Sequence, residues 1–414
     1  MKRLLAPLAC AAVAALTSSC APQPPARVAP SNLASEAAKP STKAPPTDLE
    51  KLAERLVTQS ANVKEGEVVL LNGGPENIEL LEDLAVQVRK AGAFPLVTLS
   101  TDRLSKRLYT DVPEKYDSQV NGRELKLAEV VDAEIVLGRE TAEGLLSDAD
   151  PKRMAARAKA NESVFEAYVR SGVRTVEVNN SLYPNEWAAR QYGMTPDELA
   201  KTFWGGVNMD YAELQARGAQ VSAALSKGKE LRVTDPAGTD LRVRVEGRAY
   251  GVSDGIISAE DVKRGAAGLS VYLPAGEVYV APVPGTAEGR VVRAKEYFAG
   301  REVNNLVMTF SAGRLTSLTG SGPGFDLLKA AYDAAGEGKD LFAFVDFGIN
   351  PNVKLPAGSQ VATWVPAGTV TVGFGNNVWA GGDNKTAYSY GVSLPGTTVT
   401  LDGRPVVEAG QLKL

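Results

Sequence analysis

The chain contains no histidine among its 414 residues. Histidine is the usual acid or base at neutral pH and the commonest metal ligand in proteins. Its absence excludes Ser-His and Cys-His nucleophilic pairs and every zinc site that needs an imidazole. Cysteine is almost as scarce, because only Cys10 and Cys20 occur and both lie near the N-terminus. Thiolate metal sites and disulfide frameworks are therefore excluded from the rest of the chain.

Neither sign of charge dominates the sequence. The chain has 45 basic and 49 acidic residues, a formal net charge of −4, and no long run of one sign. The basic surface that is typical of nucleic-acid-binding proteins is therefore missing, and we expect no nucleic-acid partner. Hydrophobic residues make up 44% of the sequence, which is enough for two ordinary cores in a chain of this length.

The first twenty residues, MKRLLAPLACAAVAALTSSC, have the pattern of an export signal. A basic start precedes an apolar stretch that is too short to span a bilayer permanently. Small residues then lead to Cys20 and resemble the lipobox of bacterial lipoproteins, although the usual leucine stands one place early, at Leu16. We expect residues 1–20 to be a lipoprotein-type signal peptide and Cys20 to carry the lipid. Ordinary secretion with an incidental Cys20 is the alternative.

Residues 21–47 are rich in Pro, Ala and Ser and have almost no large apolar side chain. Such a segment cannot form a core, and we expect it to be a semi-extended tether. A single acyl chain binds membranes weakly, so stable anchoring requires the several acyl chains of a mature lipoprotein. The sequence therefore predicts an exported protein that is anchored by lipid to a membrane of the cell envelope.

Residues 48–204 alternate short apolar runs with segments of helical periodicity. The runs VVLL, PLVTL, AEIVLG and RTVEV indicate strands that are separated by helices. This order predicts βαβ units and an α/β domain with a largely parallel sheet. Thr195, Pro196 and Glu198 have the spacing of an N-cap, a first helical residue and a capping box, so they predict the start of a helix.

Residues 205–414 are expected to form a β-rich, barrel-like domain. Strand-like runs that are separated by Gly, Pro and Asn turns follow one another, and a single helix at 325–336 interrupts them. The runs include SVYL, GEVYVAPV, NNLVMTF, FAFVDF, QVATWV, TVTVGF, AYSYGVSL and TTVTL. The predicted fold class is thus an N-terminal parallel-sheet α/β domain followed by a C-terminal β-rich domain.

Three short motifs carry little functional weight. Gly73 and Gly74 follow a strand but form no dinucleotide or phosphate-loop pattern, so they indicate a tight turn. The GSGPG at 320–324 is also interpreted as a turn, because no following Lys or Thr supports an anion site. Ser226 and Lys229 have Ser-x-x-Lys spacing, but they lie at a predicted helix end, where lysine is common.

Several stretches in this order resemble the thermophilic-type metalloaminopeptidases, the family of aminopeptidases T and S. They are LAERLVTQSANVKEGEVVLL, QYGMTPDELAKTFWGGVNMDY, DPAGTDLRVRVEGR, LPAGEVYVAPVPGTAEG, FGINPNV, GTVTVGFG and GGDNKTAYSYG. The resemblance covers the chain from residue 48 to its end. It implies an N-terminal α/β domain and a C-terminal β-rich domain that holds two metal ions, usually zinc or cobalt. These ions activate the water that attacks the peptide bond after the N-terminal residue.

The resemblance also implies a ligand set of two glutamates, two histidines and an aspartate, with a tyrosine nearby. Glu277 stands at the first glutamate position. The second glutamate position is Phe344, although Asp346 lies two residues later on the same strand face and can reach inward with a shorter arm. The histidine of the family's Gly-Thr-x-His motif is replaced by Thr371.

The last motif has also lost its ligands. Ser389 occupies the second histidine position and Gly391 the aspartate position, while the tyrosine position falls near Val378 or Trp379. Only Glu277 and the displaced Asp346 then remain as candidate metal residues. Two divalent ions need more donors than this to offset their mutual repulsion. We expect no cofactor and assign no catalytic residue.

Two functional hypotheses follow. The first is a non-catalytic relative of these aminopeptidases whose former active-site cleft binds a peptide N-terminus, an envelope protein or another subunit. On this hypothesis Trp379, Tyr388 and Tyr390 supply contact surface, unless they are ordinary strand aromatics packed in the sheet. The second is an active aminopeptidase with a non-standard zinc or cobalt site.

A purely structural envelope protein, without any ligand, is a third alternative. The family resemblance also implies a homodimer. The absence of histidine predicts little change in activity or binding between about pH 6 and 8 unless another group is strongly perturbed.

Overall fold

The computed structural model describes residues 48–414 except 140–141, 143–144, 147–148, 181 and 357–362. The predicted signal peptide, the tether and the lipidation site Cys20 lie outside the described residues. Among the residues that are described, no helix combines the length and the hydrophobicity that crossing a bilayer requires.

A five-stranded parallel sheet forms the centre of the amino-terminal part. Its strands are β1 (Val68–Gly73), β2 (Phe94–Leu99), β3 (Ala133–Leu137), β4 (Arg174–Val178) and β8 (Ser270–Leu273). They lie in the order β2-β1-β3-β4-β8, and every pairing is parallel. The strand–helix alternation in the sequence therefore predicts the first four of these strands and their parallel pairing correctly.

Eight α-helices precede the first antiparallel strand in the described part of the chain. They are α1 (Leu49–Arg55), α2 (Ile78–Lys90), α3 (Asp102–Thr110), α4 (Gly122–Leu127), α5 (Pro151–Ser171), α6 (Glu186–Tyr192), α7 (Pro196–Val207) and α8 (Tyr211–Leu225). Helix α7 begins as predicted, because the Thr195 hydroxyl accepts the Glu198 N–H and the Glu198 carboxylate accepts the Thr195 N–H. This reciprocal capping box satisfies two N–H groups that otherwise lack partners at the helix start.

Strand β8 lies in a different sheet from the one its sequence position suggests. The run SVYL was expected in the β-rich region, yet Val271 pairs with Val176 of β4 in the parallel sheet. Val271 and Leu273 are buried in the common core. A short apolar run predicts a buried strand but carries no information about which sheet accepts it.

The carboxy-terminal part contains two antiparallel sheets, as the predicted β-rich class requires. One has eight strands, which are β5 (Glu230–Thr234), β6 (Asp240–Arg244), β10 (Glu288–Phe298), β11 (Arg301–Ser311), β12 (Arg314–Ser321), β16 (Thr398–Leu401), β17 (Arg404–Glu408) and β18 (Gln411–Leu412). Helices α9 (Ala259–Arg264) and α10 (Pro323–Ala334) lie between strands in the sequence. The strand expected at QVATWV is absent over its described residues 363–365.

The second antiparallel sheet carries the candidate site. Its strands are β7 (Gly251–Ser253), β9 (Glu277–Val280), β13 (Phe342–Gly348), β14 (Val370–Gly375) and β15 (Ser389–Leu394), in the order β15-β14-β13-β9-β7. All seven residues of β13 and all six of β14 are buried. The two central strands are therefore covered on both faces.

Candidate functional site

Pairing within this second sheet aligns the candidate residues on one face. Asp346 of β13 lies opposite Tyr279 of β9 and opposite Thr371 of β14, and Thr371 lies opposite Ser393 of β15. Glu277 is two residues before Tyr279, so the two side chains point the same way. The predicted positions Glu277, Asp346 and Thr371 are thus brought together.

The carboxyl groups of Glu277 and Asp346 are hydrogen-bonded to each other. Burial raises the pKa of Asp346 well above its usual value, and the charge of Glu277 raises it further. Burial also raises the pKa of Glu277, although its bonds to Asp346 and Ser253 oppose this shift. The Oδ1 atom of Asp346 is buried and has no hydrogen-bond partner among the described residues. The pair therefore retains unused hydrogen-bonding capacity.

Hydroxyl groups continue the row of polar side chains beyond the acidic pair. The hydroxyls of Thr371 and Ser393 lie 2.9 Å apart and are buried. Thr371 therefore already has a hydrogen-bond partner at the position where the family has a histidine. Neutral hydroxyls are much weaker donors to divalent ions than carboxylates or imidazoles.

An aromatic side chain fills the space on the same face. The Phe344 ring crosses β14 and β15, since a Cβ built on Gly373 would lie 2.3 Å from the ring and one built on Gly391 would lie 3.0 Å from it. The ring of Trp379 packs on Phe344 at 4.9 Å and on Tyr279 at 5.0 Å between centroids. Three of the former ligand positions, Phe344, Thr371 and Gly391, therefore lie around one packed cluster.

A bulge in β13 gives Phe344 this orientation. Phe342 pairs with Phe374, but the register then shifts by one residue, so that Phe344 pairs with Gly373. Phe342 consequently packs into the main core against Phe310, whereas Phe344 points to the opposite face. A bulge re-aims the side chains that follow it, and here it aims Phe344 and Asp346 at the site.

Ser389 does not join this cluster. It pairs with Gly375 at the end of β15 and is exposed. The predicted tyrosine position is occupied by a short 3₁₀ turn, Val378–Ala380. Trp379 of this turn packs on the cluster, as described above.

The donor set does not fit a two-metal centre. The described residues contain no group of three or more His, Cys, Asp or Glu that could hold a metal ion. Only Glu277 and Asp346 offer carboxylates at the site, and the hydrocarbon ring of Phe344 stands where the resemblance implies the second glutamate. A pair of divalent cations requires several anionic or imidazole ligands, so these residues are too few.

Three residues of the site were not predicted from the sequence. Ser253 lies opposite Glu277 and is hydrogen-bonded to it. Tyr279 shares a face with Glu277, and burial, followed by the charge of Glu277, raises its pKa to about 12. Ser393 is the partner of Thr371. Of these three residues, only Tyr279 could have been found from the sequence, because the two-residue alternation in GEVYV places it on the same strand face as Glu277.

The contact-surface hypothesis is wrong for Tyr390 and stays a prediction for Trp379 and Tyr388. Tyr390 is buried and packs on Phe374 at 5.8 Å. Tyr388 is half-buried against Phe374 and Tyr332. Both rings lie among strand and helix aromatics in the core, as β-propensity alone would place them. Trp379 is also partly exposed, and it packs on Tyr279 and Phe344.

The motifs that were discounted have ordinary structural roles. Gly74 donates its N–H to the Asn77 side chain at 2.8 Å, which closes the turn after β1. The hydroxyl of Ser226 bonds to a carbonyl of its own helix. The Lys229 ammonium lies 3.0 Å from Glu246, so it forms an ion pair and not a Ser-Lys dyad.

Comparison with known proteins gives a family and a fold. The family model described as "Thermophilic metalloprotease (M29)" matches residues 46–337. The matched range includes Glu277 but ends before β13, β14 and β15, which carry the other positions that the sequence resemblance picks out. No curated protein matches the chain significantly.

Two solved structures show the same fold. Wild-type AmpT from Thermus thermophilus is 18% identical, with a TM-score of 0.67, and the match covers 88% of this chain and 99% of that chain. The 2,5-dihydroxypyridine dioxygenase of Pseudomonas putida KT2440 is 13% identical, with a TM-score of 0.54, and the match covers 88% and 96%. The predicted fold class is therefore confirmed.

Proposed function

We propose that this chain, which belongs to the thermophilic metalloprotease (M29) family, is a non-catalytic member that acts by binding a peptide or an envelope protein. One observation carries this proposal: the ring of Phe344, at the position where the resemblance implies a glutamate, lies over Gly373 and over Gly391, where the resemblance implies an aspartate. With two carboxylates and a hydrocarbon ring, the site cannot hold the pair of cations that makes water nucleophilic. We expect no resident metal.

The acidic pair is the candidate binding feature. Glu277, Ser253, Tyr279 and Trp379 are each partly exposed, so the pair borders solvent at this point. A buried carboxylate favours a cationic partner, and an adjacent indole ring adds cation–π attraction. The ammonium group at the N-terminus of a peptide has this chemistry.

A peptide-binding measurement tests this assignment. Titration of a mixed peptide library should show binding that N-terminal acetylation abolishes and that Glu277→Gln weakens at least tenfold. Glu246→Gln, which changes a carboxylate that is ion-paired on the surface, is the matched control. Uniformly negative titrations, or binding that does not depend on the free amine, would contradict the assignment.

The second candidate function is an active aminopeptidase with a non-standard zinc or cobalt site. It is favoured by one observation, the direct contact between Glu277 and Asp346. Turnover of aminoacyl-anilides with added zinc or cobalt separates the two functions, with a family member that has the complete ligand set as the positive control. Chelator-sensitive cleavage at a comparable rate would favour this second function.

We further propose that the chain is exported and anchored in the cell envelope by lipid on Cys20. The signal-like start, the small residues before Cys20 and the tether at 21–47 support this. Expression in a bacterium with radiolabelled palmitate should label the wild-type chain and Cys10→Ser but not Cys20→Ser. Equal labelling of all three chains, or none, would contradict lipidation at Cys20.

A further inference from the structure

A small polar cavity lies beside the acidic pair. Its lining includes Ser253 and Tyr279 of the candidate site, together with Ser270, Asp261 and Arg264. The cavity has a volume of about 30 Å³. Since one water needs about 10–15 Å³, the cavity has room for about two water-sized groups. The two oxygens of a carboxylate match this size, and Arg264 supplies a positive charge to attract them.

Ser253 and Tyr279 connect this cavity to the acidic pair. Ser253 of β7 lies opposite Glu277 of β9 and is hydrogen-bonded to it. The Tyr279 ring lies over β7, because a Cβ built on Gly251 would stand 2.2 Å from it. Burial raises the pKa of Tyr279, the charge of Glu277 raises it further, and the charge of Arg264 lowers it. Tyr279 therefore lies within electrostatic reach of both a negative and a positive group.

Arg264 is held in place with donors to spare. It is the last residue of α9, and its side chain is 52% exposed. Its guanidinium donates to the carboxylate of Asp261, which also accepts the N–H and the hydroxyl of Ser258. A guanidinium carries five N–H donors in a planar fork, and its bond to Asp261 uses one end of that fork. A second carboxylate can therefore bind at Arg264.

The acidic end of the site has an acceptor that lacks a donor. Asp346 is 3% exposed, and its Oδ1 atom has no hydrogen-bond partner among the residues that the structure describes. A buried acceptor without a donor destabilises a protein, and an ammonium group at this point supplies the donor. The acidic end thus suits a cationic group, while the cavity at Arg264 suits an anionic one.

We infer that the site binds a short peptide with both ends free, with its ammonium group at Glu277 and Asp346 and its carboxylate in the cavity at Arg264. This inference rests on the proposed function and adds a second point of recognition to it. The cavity begins at Ser253, one strand beyond Glu277, and neighbouring strands lie about 4.8 Å apart.

Peptide length follows from this separation. An extended chain spans about 3.3–3.6 Å per residue, so two or three residues reach from the acidic pair into the cavity. The two charged groups of a free amino acid are separated by a single carbon atom, so they cannot reach both ends. We therefore expect dipeptides and tripeptides to be the ligands.

Calorimetric titration of the purified full chain with alanyl-alanine and with its C-terminal amide tests the inference. The wild type should bind the free acid at least tenfold more tightly than the amide. Arg264→Gln should bind the two peptides equally, with an unchanged melting temperature because the side chain is half-exposed. Arg217→Gln is the matched control, since Arg217 is an exposed arginine that is ion-paired with Glu213 of its own helix. It should keep the full preference.

The outcomes separate this inference from the proposed function. If the wild type binds acid and amide equally, and N-terminal acetylation still abolishes binding, the proposed function stands and the inference is overturned. An Arg264→Gln variant that keeps the tenfold preference would also overturn it, as would equal affinity for free alanine and alanyl-alanine. If no peptide of any length binds, both fail.

Discussion

The ring of Phe344 lies directly over Gly373, so that a Cβ on this glycine would stand 2.3 Å from the ring. Phe344 stands where the resemblance implies a second glutamate. Gly373 belongs to β14, the strand where the resemblance implies a histidine at Thr371. The contact requires a residue without a side chain at 373. This face of the sheet is therefore a packed cluster, and its stability depends on this fit.

Gly373→Ala should destabilise the protein by about 1–3 kcal/mol, because the new methyl group must displace the Phe344 ring or the nearby carbonyl of Tyr390. Gly336→Ala is the control, since a Cβ at Gly336 meets nothing within 4 Å. Urea unfolding of both variants measures the difference. A loss for Gly373→Ala no greater than that for Gly336→Ala would contradict the packed arrangement.

Asn350 connects the two parts of the molecule. Its fully buried side chain donates to Ala275 O at 2.7 Å and to Gly206 O of α7 at 3.2 Å, and it accepts the Asn352 N–H at 2.9 Å. Asn350→Ala leaves these groups buried without partners and should cost about 2–4 kcal/mol. Thermal or urea unfolding measures this. Asn352→Ala, at an exposed position, should cost about 1 kcal/mol or less, and equal losses would contradict the assigned role.

Glu134 should make stability depend on pH near neutrality despite the absence of histidine. Burial raises its pKa to about 7. A carboxyl group whose pKa is higher in the folded state stabilises the fold at low pH, and this contribution is lost as pH rises from about 4.5 to 7. Glu134→Gln should therefore be about 2–3 kcal/mol more stable than the wild type at pH 8 and equal to it at pH 4.

Unfolding at several pH values checks this prediction, with the exposed Glu129→Gln as the control. A wild-type stability that stays flat between pH 4.5 and 7 would contradict the assigned burial of Glu134.

Asp117 should have the opposite dependence. Hydrogen bonds from Arg153 and then Arg157 lower its pKa to about 2, although burial opposes this shift. Its stabilisation is complete above the ordinary pKa of 3.8 and is lost as pH falls towards 2. Asp117→Asn should be less stable than the wild type at pH 7, and the difference should shrink in acid. Acid titrations followed by circular dichroism test this, and the exposed Asp383→Asn should show no such convergence.

The fold was predictable where local signals suffice. The capping box at Thr195 and Glu198 and the apolar runs of β1, β3 and β4 indicate their elements directly, because they depend on residues close in sequence. The membership of β8 in the parallel sheet was not predictable. It depends on which edge is free in three dimensions, and Val271 would be equally apolar in either sheet.

The sequence predicts which metal-ligand positions of the candidate site lack a ligand, but it does not predict how the side chains at those positions pack. The resemblance to the family motifs identifies Phe344, Thr371 and Gly391 as ligand positions without a ligand. The sequence also shows directly that the chain has no histidine. The one-residue bulge after Phe342, which aims Phe344 at Gly373, leaves no sequence pattern. The partners Ser253 and Ser393 come from strands distant in sequence, so only the register reveals them.

With two carboxylates and a hydrocarbon ring, this site has too few donors to hold a pair of metal ions. Anomalous diffraction from crystals soaked in zinc tests it most directly, because ions are then located and counted at their absorption edge. We expect no well-occupied zinc between Glu277, Asp346 and Thr371. Two fully occupied zinc ions held there would contradict it.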